Sequence, residues 1–253
     1  MGPYMKSIDM QNPDTYAQIQ LKLYEGLVLL ALHDEEGTTQ GWYLEYTVGA
    51  AVLAELLMLN RIRVNSENKD RVEIVDASPT GDKVMDEVLA KIAAKKRPDT
   101  LKNWVMAVGY TPKLKEKVAD QLVDDGIIKS DERKLLWVFT QKIYPEINPE
   151  PERYLRQEMR RLVLEQPSDL SDIDPRYAIL IALAKSSHLL EQVFSKAEIK
   201  THKKRIDEVA KGEALGELAS DVISSVQAAV MVAVMLPSMM AAISASTTSS
   251  SSC

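Results

Sequence analysis

Apolar residues recur at helical spacing along most of this chain. Ile19, Leu23, Leu27 and Leu30 fall on one face of a helix predicted over residues 16–32, and the run from Leu27 to Leu32 is apolar enough to be buried all round. The cluster His33-Asp34-Glu35-Glu36-Gly37 then predicts a turn, because Gly accepts the positive φ of a tight reversal. Residues 48–59 are almost continuously hydrophobic, the pattern of a helix with neighbours on all sides. Between 61 and 75 the period changes: Ile62, Val64, Val72, Ile74 and Val75 flank a polar segment, which predicts two short strands and a loop.

Further along, Val84, Val88, Leu89 and Ile92 form one apolar face, and Lys91, Lys95, Lys96 and Arg97 close that helix favourably against its dipole. Residues 114–128 read as an amphipathic helix with Gly126 at its cap, and 127–139 as a hairpin with a charged tip and an apolar second strand. Pro145, Pro149 and Pro151 mark a linker or crossover, after which 152–165, 175–194, 196–211 and 216–242 are helical by pattern. The expected fold is mainly α: a single-domain helical bundle over 16–243 with amphipathic outer helices and one or two short β-hairpins. Residues 1–15 and the Ser/Thr tail 244–253 are expected to be disordered.

Composition narrows the function classes. A chain of 253 residues, 45% hydrophobic and 27% charged, has enough apolar mass for a sizeable core. Its net charge of -6 excludes a surface that grips DNA or an anionic membrane everywhere, so any anion site is a local basic patch. Cys253 is the single cysteine, which excludes an intrachain disulfide and points to a reducing compartment. The N-terminus carries no basic stretch followed by an apolar core, so a cytoplasmic protein is expected. Val222 to Ala245 has no charge, but Ser224, Ser225, Gln227, Pro237 and Ser238 interrupt it, and a buried helix is expected there rather than a membrane span.

Catalytic constellations are poor. His33, His188 and His202 lie in unrelated contexts, and the acids beside His33 read as a solvated turn rather than a metal site. Pro79-Thr80-Gly81-Asp82 lacks the downstream Gly-Lys pair of a phosphate loop, so its expected task is to start a helix with Asp82 at the cap. Neighbouring Asp86 and Glu87 do not face each other on a helix. No enzyme, no metal and no cofactor is expected.

The stretch Asp76 to Gly109 has the order of a family signature: the turn Ser78-Pro79-Thr80-Gly81-Asp82, a helix, the break Pro98-Asp99-Thr100, then Asn103-Trp104. It resembles the Golgi phosphoprotein 3 family. The likeness runs from Gln18 to about Val234 through the Gly37 turn, Trp42, Gly49, Glu55-Leu56, Arg61-Ile62, Leu122-Val123-Asp124-Asp125-Gly126-Ile127 and Arg176-Tyr177-Ala178-Ile179-Leu180. It implies a helical, non-catalytic peripheral membrane adaptor that binds phosphatidylinositol 4-phosphate, on the cytosolic face of the Golgi in a eukaryote. In that family the headgroup sits between a tryptophan, a basic residue shortly after it and two arginines on a later helix. The matching positions here are Trp42, Ala51 and the neighbourhood of Pro112 and Lys115.

Two cations of the family pattern are thus absent, which at about 1 kcal/mol each weakens binding roughly 30-fold. Lys113 and Lys115, with Lys117 beside them, rebuild part of the patch. The expected headgroup residues are therefore Trp42, Lys113 and Lys115. Trp42 is equally readable as a core residue. Leu135, Leu136, Trp137 and Phe139 are the candidate membrane or self-association hairpin, and burial against the same chain is the competing reading. The family's coat-binding role is not carried over, because the arginine-rich N-terminal extension is missing from this sequence. The alternative function is a winged-helix-like nucleic-acid or protein interaction module using Lys91 to Arg97 and Lys113 to Lys117; nucleic acid is disfavoured by the acidic pI of about 5.3.

Overall fold

The computed structural model describes residues 21–32, 41–65, 71–135, 139–165 and 174–212. The expected disordered ends, the acidic turn at 33–37 and the helix at 216–242 lie outside the described residues. The fold is mainly α, with two separate two-stranded antiparallel sheets. Helix α1 (Leu23–Leu32) is its axis: every residue from Leu23 to Ala31 is buried. Around it pack α2 (Gly41–Met58), α5 (Leu114–Asp124), α6 (Glu150–Arg160) and α7 (Pro175–Ser186). The strands β1 (Ile62–Asn65) and β2 (Arg71–Ile74) form the first hairpin, pairing Ile62 with Ile74 and Val64 with Val72 as the change of period predicts. Helices α3 (Lys83–Ala94) and α4 (Leu101–Gly109) complete this half of the bundle.

A buried carboxylate ties the axis to both flanks. Glu55, on α2, accepts from the Leu23 N–H at 2.9 Å and from Arg176 Nη2 at 2.7 Å, joining the starts of α1 and α7. Its side chain is 3% exposed, so these donors replace the water it has lost. Close to this clamp, α2 and α4 touch backbone to backbone. A Cβ on Gly49 would lie 2.8 Å from the Gly109 nitrogen, and one on Gly109 would lie 3.0 Å from Tyr46 Cα. Only glycine permits that approach.

The signature turn is explained by its own carboxylates. Asp82 caps α3 by accepting from the Met85 N–H at 2.8 Å, and its other oxygen accepts from Gln121 Nε2 at 2.7 Å and faces Lys22 Nζ at 3.3 Å. It thereby holds α3, α5 and the lead-in to α1 together. Burial, which favours the neutral form, is outweighed by these partners, which keep Asp82 below its ordinary value. Asp86 accepts from the Thr80 N–H and hydroxyl, both at 2.6 Å, and from the Gly81 N–H at 3.3 Å. The loop's donors are thus filled by the chain's own anion. Trp104 is a core residue, 6% exposed, as its place among Leu101, Val105 and Val108 predicts.

Four expectations are corrected. The second hairpin pairs β3 (Asp131–Leu135) with β4 (Phe139–Ile143), Leu135 facing Phe139, so the charged residues form a strand and not the tip. The connection then falls on Leu136, Trp137 and Val138, which lie outside the described residues. The prolines are not a linker: Lys129 N–H bonds to the Pro145 carbonyl at 2.9 Å, and Pro149 and Pro151 open α6 where missing N–H groups cost nothing. A single helix over 175–194 is replaced by α7 and a short 3-10 turn, Leu190–Gln192. His188 takes a left-handed φ of 60° while the Leu189 N–H returns to the Ala184 carbonyl, which is a helix stop. The helix predicted over 196–211 is likewise two, α8 (Lys196–Thr201) and α9 (Lys203–Ala210), and α6 runs on into a π-helical turn at Arg161–Glu165.

Candidate functional site

Three helix ends converge on one cleft: the start of α2, the end of α4 and the start of α5. The glycine contact between α2 and α4 sets their ends side by side, and the break Tyr110-Thr111-Pro112 turns the chain into α5. The cleft has a volume of about 490 Å³ and is lined by Glu45 and Tyr46 from α2, Gly109 to Thr111 from the α4 end, and Lys113, Leu114 and Glu116 from α5. Tyr46 and Tyr110 stack edge to face, centroids 5.4 Å apart at 88°. Burial first, then the Tyr110 hydroxyl, pushes the Tyr46 phenol up to about 12. Tyr110 itself is 61% exposed, which is unusual for a large aromatic side chain.

Lys113 is the cation of this cleft. It is exposed and has no ion-pair partner among the described residues. Its φ of 56° is left-handed, a conformation that costs an L-residue with a Cβ about 1–2 kcal/mol. The first-turn N–H groups of α5 start beside it. Two carboxylates, Glu45 and Glu116, are half-buried in the cleft wall and form no ion pair with another described residue.

The other predicted site residues are placed as follows. Trp42 lies in the first turn of α2, three and four residues before Glu45 and Tyr46, hence on the same helix face; its side chain lies outside the described residues. Lys115 is half-buried in the first turn of α5 and does not line the cleft. Ala51 is fully buried, so no cation fits at that position without repacking α2. Lys117 is drawn off to Glu87 at 2.5 Å, and Lys91 bonds the same carboxylate at 2.8 Å while donating to Thr111 Oγ1 at 3.2 Å. Lys117 first, then Lys91, holds the Glu87 carboxyl below its ordinary value. Leu135 and Phe139 are paired in the β3–β4 register, with Leu136 and Trp137 between them in sequence.

Sequence reasoning missed Glu45, Tyr46, Tyr110, Thr111 and Glu116. A signal was present: an aromatic residue next to Thr-Pro-Lys, directly after the helix-ending Gly109, marks an exposed loop on a rigid scaffold, the usual seat of binding residues.

Comparison with known proteins agrees with this architecture. The sequence model of the family described as Golgi phosphoprotein 3 (GPP34) matches residues 23–226. Vacuolar protein sorting-associated protein 74 of Eremothecium gossypii is 25% identical over 206 residues, an alignment covering 69% of this chain and 62% of that protein, so less than two thirds of the relative's length is matched. The family match takes in α1, the signature turn, both hairpins and every described helix, and on that breadth the chain belongs to the Golgi phosphoprotein 3 family.

Proposed function

We propose that this protein is a non-catalytic peripheral membrane adaptor that recognises an anionic phospholipid headgroup, of the phosphatidylinositol 4-phosphate kind, at the cleft between α2, α4 and α5. The observation that carries the reading is Lys113: a cation without an ion-pair partner among the described residues, in a strained left-handed conformation at a helix start, one wall away from the turn that bears Trp42. Strain kept at one residue of a binding cleft is commonly part of its function. The N-terminus of α5 opens on the cleft and favours a phosphate. Lys115 adds positive charge to the same first turn of α5, and the connection Leu136-Trp137-Val138 has an apolar sequence suited to a membrane surface or to self-association. Among the described residues no helix is long and apolar enough to cross a membrane.

Flotation with phosphatidylcholine vesicles, with and without phosphatidylinositol 4-phosphate, tests it. Headgroup-dependent flotation that is lost in Trp42→Ala and weakened in Lys113→Ala is the expected result. Retention on DNA without flotation would replace this reading with a nucleic-acid one.

A further inference from the structure

One hydroxyl in the wall of the cleft has its hydrogen-bonding role fixed by a lysine outside it. Thr111 lines the cleft two residues before Lys113 and is only 7% exposed. Its Oγ1 accepts from Lys91 Nζ at 3.2 Å. An ammonium has no lone pair and can only donate, so this contact uses a lone pair of the hydroxyl and leaves its proton to find an acceptor elsewhere. Among the described residues none takes it: the hydroxyl makes no bond as a donor, and the Thr111 N–H is separately used on the Val108 carbonyl at 2.9 Å. A donor so nearly buried is costly until a ligand or a water completes it.

Lys91 is itself anchored. Its ammonium also binds Glu87 Oε1 at 2.8 Å, one turn earlier on α3, while the other oxygen of Glu87 takes Lys117 from α5. Lys91 is not among the residues that line the cleft, so whatever it does there it does through Thr111. A ligand that brings acceptor oxygens and negative charge satisfies the Thr111 proton and the Lys113 ammonium together. A ligand that brings only donors leaves both without a counterpart.

We propose that Thr111 is a further recognition residue of the cleft, donating its hydroxyl proton to a phosphomonoester oxygen of the bound headgroup, and that Lys91, anchored by Glu87, is the positioning residue that holds it as a donor. This rests on the reading of the cleft as a phosphoinositide-type headgroup site and adds to it one residue from the turn between α4 and α5 and one from α3. A phosphomonoester suits the pair because its terminal oxygens are charged, strong acceptors.

Thr111→Val keeps the branched shape and loses the hydroxyl, so it separates donation from packing. Against phosphatidylcholine vesicles containing phosphatidylinositol 4-phosphate it is expected to bind about ten-fold more weakly than the wild type, and Thr111→Ser to restore most of the affinity. Lys91→Met should lose a similar factor, Lys91→Arg should recover it, and Lys91→Met/Thr111→Val should be no weaker than Lys91→Met alone, because the lysine acts through the hydroxyl. Lys96→Met removes the same charge from an exposed position that does not line the cleft and measures bulk attraction. Thermal melting checks that each variant is folded; should Lys91→Met fail, the two Thr111 variants decide. Thr111→Val binding as tightly as the wild type, or Lys91→Met losing no more than Lys96→Met, overturns this inference, while losses in Trp42→Ala and Lys113→Ala leave the headgroup reading standing. A wild type that binds none of these vesicles overturns both. Soluble glycerophosphoinositol 4-phosphate is expected to compete; inorganic phosphate competing equally well, in a way that Thr111→Val abolishes, would keep Thr111 as the donor and overturn the lipid reading.

Discussion

Lys113 shows how one residue can carry opposing demands. Its left-handed backbone is one that Gly adopts without a Cβ penalty, while its ammonium is the cleft's cation. Lys113→Gly is therefore expected to be more stable than Lys113→Ala by about 1 kcal/mol, measured by urea unfolding, although both lose the same charge and should weaken vesicle binding alike. Equal stabilities would show that the conformation is not strained. Lys113 itself was readable from the sequence as part of a basic cluster. Its separation from Lys117 was not, because that depends on Glu87 arriving from α3 some thirty positions earlier to neutralise one lysine and leave the other. Glu45 and Glu116 escaped for the same reason: on their own helices each is an ordinary acid, and only the meeting of α2 with α5 brings both to one cleft.

At the scale of elements, periodicity located almost every helix and both hairpins but misjudged where they stop. Pro149 and Pro151 read as chain-breaking, yet the physical rule that bars proline from a helix interior admits it in the first turn. The β3–β4 register depends on which residues pair across the strands, and a charged run between apolar ones is compatible with either placement. The contact between α2 and α4 was legible only as two unexplained glycines. Gly109→Ala would press a methyl group on the Tyr46 backbone, and overpacking of that kind costs about 1–3 kcal/mol. The same change displaces Tyr46, so vesicle binding should fall further than the stability loss accounts for. Arg176→Ala leaves Glu55 buried with only the Leu23 N–H, at a cost of about 3–5 kcal/mol; adding Glu55→Gln should return part of it, as a double-mutant cycle would measure.

For the whole molecule, acid is the informative stress. Lys95, with Asn103 and the Thr100 N–H, holds the Asp99 carboxyl at about 2, and Arg160, with Ser195, does the same for Glu198. These groups stay ionised in the folded chain at a pH where the unfolded chain has already bound their protons. Their contribution is complete above the ordinary values of 3.8 and 4.5 and is lost as pH falls towards about 2. Thermal melting across that window should show a modest decline, limited by solvent screening of these exposed pairs, that Asp99→Asn and Glu198→Gln reduce. The Glu55 clamp has a different consequence, which concerns the order of assembly. Its partners Leu23 and Arg176 lie 32 and 121 positions away from it in the sequence. While the chain is being synthesised, the N-terminal half can form α1 and α2 but has no cation to set against Glu55 until α7 has left the ribosome. The central helix, the first among the described residues to be synthesised, is therefore among the last to be secured, and a nascent chain stalled before Arg176 should remain open to protease along the very segment that the finished protein buries most deeply.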